Sequence, residues 1–387
     1  MKNFQFHNPT KIIFGDNTIK SVGIETKRYG EKALMVYGKS SIKKTGIYDI
    51  AVKSLTDAGI DIIEFSGVQS NPVLSHVREG VKIAKNNNID IIVAVGGGSV
   101  IDEAKAIAAG AKSDFDVWDF FIDKSKIENA LPLITVLTLA ATGSEMNDGA
   151  VVTNEDTLQK FNINAVSLFP KVSILDPTAT FSVPASYTAY SGVDAITHIL
   201  EGYFTSDDNN TPIQDRFVES IVHTVMESTD KILQKPDDFE ARASMMWGAT
   251  LALNGLTTAG IGNYAFPNHM IEHSLSAIYT IPHGAGLSIV LSGWMKYQYK
   301  KNPEKFAQFA KRIFNINGTS EEETAYNGIN ALIDWFKKIN SPTTLSEMNI
   351  PAKDIPEIAQ NATMLAEKWG LHDYTKEVIH DILTLCK

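Results

Sequence analysis

Four histidines and one aspartate in the second half of the chain have types and spacings that could hold a metal. Asp194-Ala195-Ile196-Thr197-His198 places a carboxylate and an imidazole four residues apart, on one face of a helix. His269-Met270-Ile271-Glu272-His273 repeats that interval, and Ile281-Pro282-His283 follows. Nitrogen and oxygen donors of this kind suit a divalent first-row cation such as Fe(II) or Zn(II), which makes Asp194, His198, His269 and His283 candidate ligands. The only cysteine, Cys386, cannot build a thiolate site or an intramolecular disulfide. The other histidines, His7, His76, His223, His372 and His380, stand alone. A second chemistry competes at this point. His269-x-x-Glu272-His273 also satisfies the H-x-x-E-H pattern of a zinc hydrolase, with both histidines on zinc and Glu272 activating water. That alternative leaves Asp194 and His198 without a role.

A different chemistry is written in the first half. Ile91 to Val95 forms a β-rich run that passes into Gly96-Gly97-Gly98-Ser99 and then into a helical pattern. Glycines at a helix start let backbone amides approach a phosphate closely, and the helix dipole favours the anion. The run departs from G-x-G-x-x-G, because Ile101 stands where the third glycine belongs. A second β-rich run, Thr135 to Leu139, ends in Ala140-Ala141-Thr142-Gly143-Ser144, whose short hydroxyls can hydrogen-bond a ligand at the carboxyl end of a strand.

The elements that must position these residues fall into two textures. Up to Val183, short β-rich runs at Lys11–Phe14, Ala33–Tyr37, Asp61–Phe65, Ile89–Val95, Leu133–Leu137 and Val172–Leu175 alternate with helical stretches, the pattern of parallel strands with crossover helices. Ala150–Thr153 and Phe161–Asn164 read as a hairpin. After Asp176-Pro177 and Pro184 the chain turns to long amphipathic helices, among them 185–203, 212–233, 238–253, 268–277 and 283–297. The expected organisation is an α/β, Rossmann-like nucleotide-binding domain over 1–183 and an all-helical metal and substrate domain over 184–387.

With 387 residues, 44% of them apolar and 21% charged, the chain has the composition of a globular protein with room for two cores. A net charge of −10 offers no basic surface for nucleic acid. No apolar run approaches the roughly 18 residues that cross a bilayer, and no signal or transit peptide opens the chain, so the expected location is the cytoplasm.

Taken together, the motifs resemble the iron-containing (group III, metal-dependent) alcohol dehydrogenase family, in its NAD(P)H-dependent butanol dehydrogenase-like branch. The resemblance runs nearly end to end. It is carried by Phe4-x-Phe6-x-x-Pro9-Thr10-x-Ile12-x-Phe14-Gly15, Tyr37-Gly38-Lys39-Ser40-Ser41, Asn71-Pro72 and Gly96-Gly97-Gly98-Ser99-x-x-Asp102, then by Ala141-Thr142-Gly143-Ser144-Glu145-Met146-Asn147 and Asp176-Pro177. Gly192-x-Asp194-Ala195-x-x-His198-x-x-Glu201, His269-x-x-Glu272-His273 and His283-Gly284-x-Gly286 complete it.

The resemblance implies a dehydroquinate synthase-like fold and a reaction. Small aliphatic aldehydes and primary alcohols, butanal and butanol among them, would be interconverted by hydride transfer with a nicotinamide cofactor, a metal polarising the substrate oxygen. It implies Asp194, His198, His269 and His283 as the ligands of Fe(II) or Zn(II). It gives His273 to proton relay or substrate positioning, against the hydrolase reading. The pyrophosphate is expected on Gly97, Gly98 and Ser99, with Asn71, Thr138, Leu139, Thr142 and Asn147 around the rest of the cofactor and Lys160 at a ribose. Family members that use NAD tend to carry an acid after the second strand. Here Gly38-Lys39-Ser40 stands there, which favours NADP(H) over NAD(H). Relatives are commonly homodimers.

Overall fold

The computed structural model describes residues 1–387 as two compact units. The first contains His7–Val183 and Lys235–Asn254. Its strands are β1 (Lys11–Phe14), β2 (Lys32–Tyr37), β3 (Asp61–Ser66), β4 (Ile91–Gly97), β5 (Leu133–Leu139), β6 (Gly149–Asn154), β7 (Gln159–Asn164) and β8 (Val172–Leu175). Helices α1 (Val22–Thr26), α2 (Ser41–Lys44), α3 (Ile47–Asp57), α4 (Leu74–Asn86), α5 (Gly98–Ala111) and α6 (Trp118–Phe121) lie between them. Six strands form a parallel sheet in the order β1-β8-β5-β4-β2-β3, and β6 and β7 form the expected antiparallel hairpin. A parallel sheet is covered on both faces, which is why β2, β4 and β5 are almost continuously apolar and buried rather than alternating. Met35, Val93, Val95, Ile134 and Val136 form its core with Ile47, Ala51 and Leu55 of α3.

Strand order locates the ligand crevice. The chain moves outward from β2 to β3, then crosses back so that β4 lies on the other side of β2 and β5 beyond it. The direction of winding therefore reverses between β2 and β4. Open α/β sheets bind their ligands outside the carboxyl ends of the strands at such a point. Gly38-Lys39-Ser40 leaves one of these two strand ends and Gly96-Gly97-Gly98 the other.

The remaining helices are α7 (Ala185–Thr205), α8 (Pro212–Gln234), α9 (Phe239–Ala252), α10 (Pro267–Tyr279), α11 (His283–Gln298), α12 (Pro303–Phe314), α13 (Glu321–Lys338), α14 (Ile355–Lys368) and α15 (Lys376–Thr384). All but α9 belong to the second unit, made of Met1–Phe6, Pro184–Gln234 and Gly255–Lys387. The expected division into 1–183 and 184–387 therefore differs from the compact units over 1–6 and 235–254. The reason for the second difference is local: α9 packs on the segments at Ser144–Met146 and Pro177–Thr180, and the Thr250 hydroxyl donates to the buried Glu145 carboxylate. Four-residue or five-residue helices such as α1, α2 and α6 are too short to show a period.

Within the second unit α7 runs through the interior, with buried residues at nearly every position from Thr188 to Phe204. Asp194, His198 and Glu201 share one face of it at i, i+4 and i+7. His269, Glu272 and His273 lie on α10, and His283 is the first residue of α11, after Pro282. No helix of the chain is long and apolar enough to cross a membrane.

Candidate functional site

The candidate metal ligands converge in the helical unit on one carboxylate oxygen. Asp194 Oδ1 lies 3.3 Å from His198 Nδ1, 3.6 Å from His269 Nε2 and 3.8 Å from His283 Nε2. Asp194 Oδ1, His198 Nδ1 and His269 Nε2 are buried and make no hydrogen bond. Leaving one buried polar atom unpaired costs about 1–3 kcal/mol, so three facing one another are a strong sign of a group that belongs between them. The separations fit a cation, because donors 2.0–2.1 Å from a tetrahedral centre stand about 3.4 Å apart. The donor set therefore fits the divalent metal expected of it.

Each of two histidines is held from behind by a buried acid. Glu201 accepts from His269 Nδ1 and from the backbone amides of Asn268 and His269, which turns His269 Nε2 toward Asp194. Glu272 pairs with His283 Nδ1 and accepts from the Ser276 hydroxyl. A Cβ at Gly286 would come within 2.6 Å of Glu272 Oε1, so the glycine of the His283-Gly284-x-Gly286 run makes room for this contact. A carboxylate on the far ring nitrogen fixes the tautomer and the aim of a ligating histidine.

Charge in the cluster follows from burial and proximity. Burial raises the Asp194 carboxyl, but the imidazoles of His198, His283 and His269 outweigh it and hold the group at about 2. Burial drives His198 down to about 4 against the pull of Asp194, leaving a neutral ring with a lone pair to give. His269 is pushed down by burial and pulled up more strongly by Glu201 and Asp194, to about 9. Two buried carboxylates thus face a region that attracts positive charge.

His273 stands to one side of this centre, its ring centroid 5.7 Å from that of His283 and 5.9 Å from that of Trp369. The Phe266 ring meets His269 edge-on at 5.7 Å. This arrangement corrects the hydrolase alternative. In that chemistry Glu272 must face a water, whereas here it is fully buried against His283 and Ser276, and His269 is directed at Asp194. Sequence reasoning did not give Glu201 a role, although its position seven residues after Asp194 on the same helical face was the available signal. Trp369 carried no signal at all.

The residues expected at the nucleotide lie around the β4 and β5 ends of the α/β unit. Gly97 pairs in register with Leu139, and α5 begins at Gly98, with Ser99 in its first turn. A Cβ at Gly98 would collide with the Thr142 side chain, so only glycine lets the start of α5 lie directly against Thr142, with its backbone bare at the helix start. Thr138, half-buried, ends the same strand as Leu139. Asn147 lies in the following segment, where its carbonyl and Oδ1 accept from Lys105. Lys160 of β7 donates to Asn71 Oδ1 at 2.9 Å, and Asn71 holds the left-handed backbone, φ 56°. Lys39 and Ser40 are exposed just beyond β2, and Gly38, half-buried, accepts the Gly67 amide through its carbonyl at 3.1 Å. The glycine, threonine and asparagine residues expected at the cofactor are thus brought to the same end of the sheet as the reversal in strand order.

Comparison with known proteins agrees with both halves. The family model described as iron-containing alcohol dehydrogenase matches residues 9–177, and that described as Fe-containing alcohol dehydrogenase family, C-terminal, matches 188–387. The chain is 43% identical to "Probable NADH-dependent butanol dehydrogenase 1" of Bacillus subtilis, over 100% of this chain and 99% of that one. It is 36% identical to the NADPH-dependent aldehyde reductase YqhD of Escherichia coli, over 98% of each. The crystal structure of NADH-dependent butanol dehydrogenase A from Thermotoga maritima superposes with a TM-score of 0.95 at 47% identity, covering 100% of this chain and 99% of that one. The chain belongs to the iron-containing alcohol dehydrogenase family.

Proposed function

We propose that this protein is an NAD(P)H-dependent alcohol dehydrogenase and aldehyde reductase that interconverts small aliphatic aldehydes and primary alcohols of the butanal and butanol type. The observation that carries the reading is the set of three imidazole nitrogens converging on the unpaired Asp194 Oδ1. Asp194, His198, His269 and His283 would hold Fe(II) or Zn(II). Lewis-acid polarisation of a carbonyl or hydroxyl oxygen is the chemistry a divalent metal supplies when bound there, and hydride exchange is that of the nicotinamide.

The chain's own residues do the rest. Glu201 and Glu272 keep Nε2 of His269 and His283 turned inward. His273, beside the His283 ring and against Trp369, is placed to hold or pass the proton of the substrate oxygen. Phe266 and Trp369 supply apolar surface suited to a short alkyl chain. Gly97, Gly98 and Ser99 would receive the pyrophosphate on backbone amides, with Asn71, Thr138, Leu139, Thr142, Asn147 and Lys160 around the remainder.

For the cofactor we favour NADP(H), supported by the run Gly38-Lys39-Ser40-Ser41 after β2, which carries a cation and hydroxyls and no carboxylate of its own to repel a 2′-phosphate. Names of relatives point both ways, NADH in the butanol dehydrogenases and NADPH in the aldehyde reductase. A homodimer is the assembly we propose: β1 borders the sheet with only β8 beside it, and Lys11 and Phe14 on it are exposed, an edge that a second copy can cover. The cytoplasm is the location we propose, consistent with a lone, buried Cys386.

The test is butanal-dependent oxidation of NADPH and NADH, followed by absorbance, on protein stripped of metal and resupplied anaerobically with Fe(II) or Zn(II). Turnover returns with a metal, is absent without one, and is abolished by His269→Ala. Tight NAD(P)H binding with no turnover on any short aldehyde under either metal overturns the substrate assignment.

A further inference from the structure

Lys105 is buried in the α/β unit with no exposed surface, and its ammonium does not lie against a carboxylate. Its three protons go instead to three carbonyl oxygens. Nζ donates to Asn147 O at 2.9 Å, to Asn147 Oδ1 at 2.9 Å and to Gly149 O at 2.7 Å. All three donors of the ammonium are used. A buried cation is costly, and although the charges of Asp102, Asp148 and Glu145 act on this one, the groups in contact with it are carbonyls.

What the arrangement does achieve is orientation. Asn147 Oδ1 receives Lys105 on one side and the Gly149 amide at 3.0 Å on the other, so the carboxamide can present only its nitrogen elsewhere. That nitrogen, Nδ2, has one long contact, 3.5 Å to Thr142 O. Thr142 is the residue whose side chain fills the space above Gly98. One turn before Lys105, Asp102 fastens the same segment, accepting from Ser144 Oγ at 2.6 Å and from the Val151 amide at 3.1 Å. One face of α5 therefore clasps residues 144–151 and leaves Asn147 Nδ2 as the carboxamide's other end, beside Thr142, the residue packed on Gly98.

We propose that Lys105 is a positioning residue for the nicotinamide cofactor, locking the Asn147 carboxamide so that Nδ2 is offered to NAD(P)H. The inference rests on the cofactor reading above. Asn147 makes the contact, and Lys105 acts only through it. A lysine is required because a neutral donor could not supply three protons to three carbonyls at once.

The test measures the Kd of the metal-loaded enzyme for NADPH and NADH by cofactor fluorescence, in wild type, Lys105→Met, Asn147→Ala and the double variant, each at a temperature where circular dichroism shows it folded. Lys105→Met raises Kd about ten-fold, the loss of the hydrogen bond that Asn147 Nδ2 gives the cofactor, and Asn147→Ala raises it similarly. The double variant is no weaker than either single one, because both remove the same contact. Multiplying effects, or an unchanged Kd in folded Lys105→Met, overturn the assignment and leave Lys105 a structural residue.

Should Lys105→Met not fold, the wild type carries the test through its pH dependence. Burial lowers the Lys105 ammonium to about 8, against Asp102 on α5, Asp148 in the loop and Glu145 in the turn before it, all of which raise it; Lys160 on β7 acts on Asp102 in turn. Kd then rises above about pH 8 in wild type and not in Asn147→Ala. The same rise in both overturns the proposal. A wild type that binds neither cofactor is a separate outcome, visible before any variant is made, and removes the cofactor reading together with this one.

Discussion

Helix α7 carries two buried polar clusters, finished in opposite ways. Toward its carboxyl end Tyr203 donates to Glu219 at 2.9 Å, and Lys305 of α12 reaches Asp215 at 2.6 Å with its ammonium 3.9 Å from the centre of the Tyr203 ring. Gln308 bridges the Tyr203 hydroxyl and Asp215, and Arg312 pairs with Glu219. Donors and acceptors there find one another. Two turns earlier, Asp194, His198 and His269 leave three buried atoms unpaired. The first cluster has the composition of a structural network that joins α7, α8 and α12. The second is complete only with a cation. Both clusters bury carboxylates, so what separates structure from function here is the count of unmet partners.

If that distinction is right, the two clusters must respond to mutation in different observables. The largest effect is expected at Asp194. Asp194→Ala and His269→Ala lower turnover with butanal by about a thousandfold or more, the several kcal/mol that metal-centred polarisation supplies. The metal content measured after gel filtration falls with it, and adding Fe(II) or Zn(II) raises the melting temperature of wild type but not of either variant. A melting temperature that the metal raises equally in wild type and variants would make the cluster structural and erase the contrast.

In the other cluster the result inverts. Lys305→Met leaves Asp215 buried without its cation and costs about 3–5 kcal/mol of stability, read by denaturant titration of the metal-loaded protein. Turnover per folded molecule is unchanged. Because apolar replacement of both partners avoids the stranded charge, Lys305→Met with Asp215→Leu recovers much of the loss. A fall in turnover without a fall in stability would break the comparison from this side.

The acids behind the metal ligands test it more finely. Glu201→Gln and Glu272→Gln keep the shape of the side chain and remove the charge that aims His269 and His283. Metal affinity or turnover falls by about 10–100-fold, less than for loss of a ligand. Competition with a chelator measures the affinity. An effect equal to that of Asp194→Ala would mean that these acids bind the metal directly.

Much of this was legible in the residue order, and the limits of legibility are physical. All eight strands sit within a few residues of the runs that announced them, and β2, β4 and β5 stand out most because a doubly covered parallel sheet demands unbroken apolar stretches such as Ile91 to Val95. The ligand pairs could be found because a helix turns an interval of four into a shared face. Glu272 could not be understood this way. In the run His269-x-x-Glu272-His273 it reads equally well as a water-activating base, and only the return of the chain at His283 shows which nitrogen it serves. Lys105 was invisible for the same reason, its partners being carbonyls some forty residues on. The α9 helix shows the limit at the level of domains. Its amphipathic pattern demands a core without saying which one, and the tie between Thr250 and Glu145 decides in favour of the α/β unit.

The smallest expected effect concerns the protonation of the satisfied cluster. Burial lowers Lys305 from its ordinary value of 10.5, and the hydrogen bond and charge of Asp215, which act in the opposite direction, do not fully restore it. Below 10.5 there is therefore a window in which the unfolded chain holds this proton and the folded one has released it. Stability rises with pH wherever the unfolded state binds more protons, so the contribution of Lys305 grows as pH climbs through that window toward 10.5 and is smallest below it. The free energy of unfolding of wild type minus that of Lys305→Met, followed from pH 8 to 10.5, should increase. A difference that falls instead would mean that Asp215 and Glu219 more than offset the burial of the ammonium. The cluster would then be a charge trap rather than a satisfied network, and closer in kind to the metal centre than its hydrogen bonds suggest.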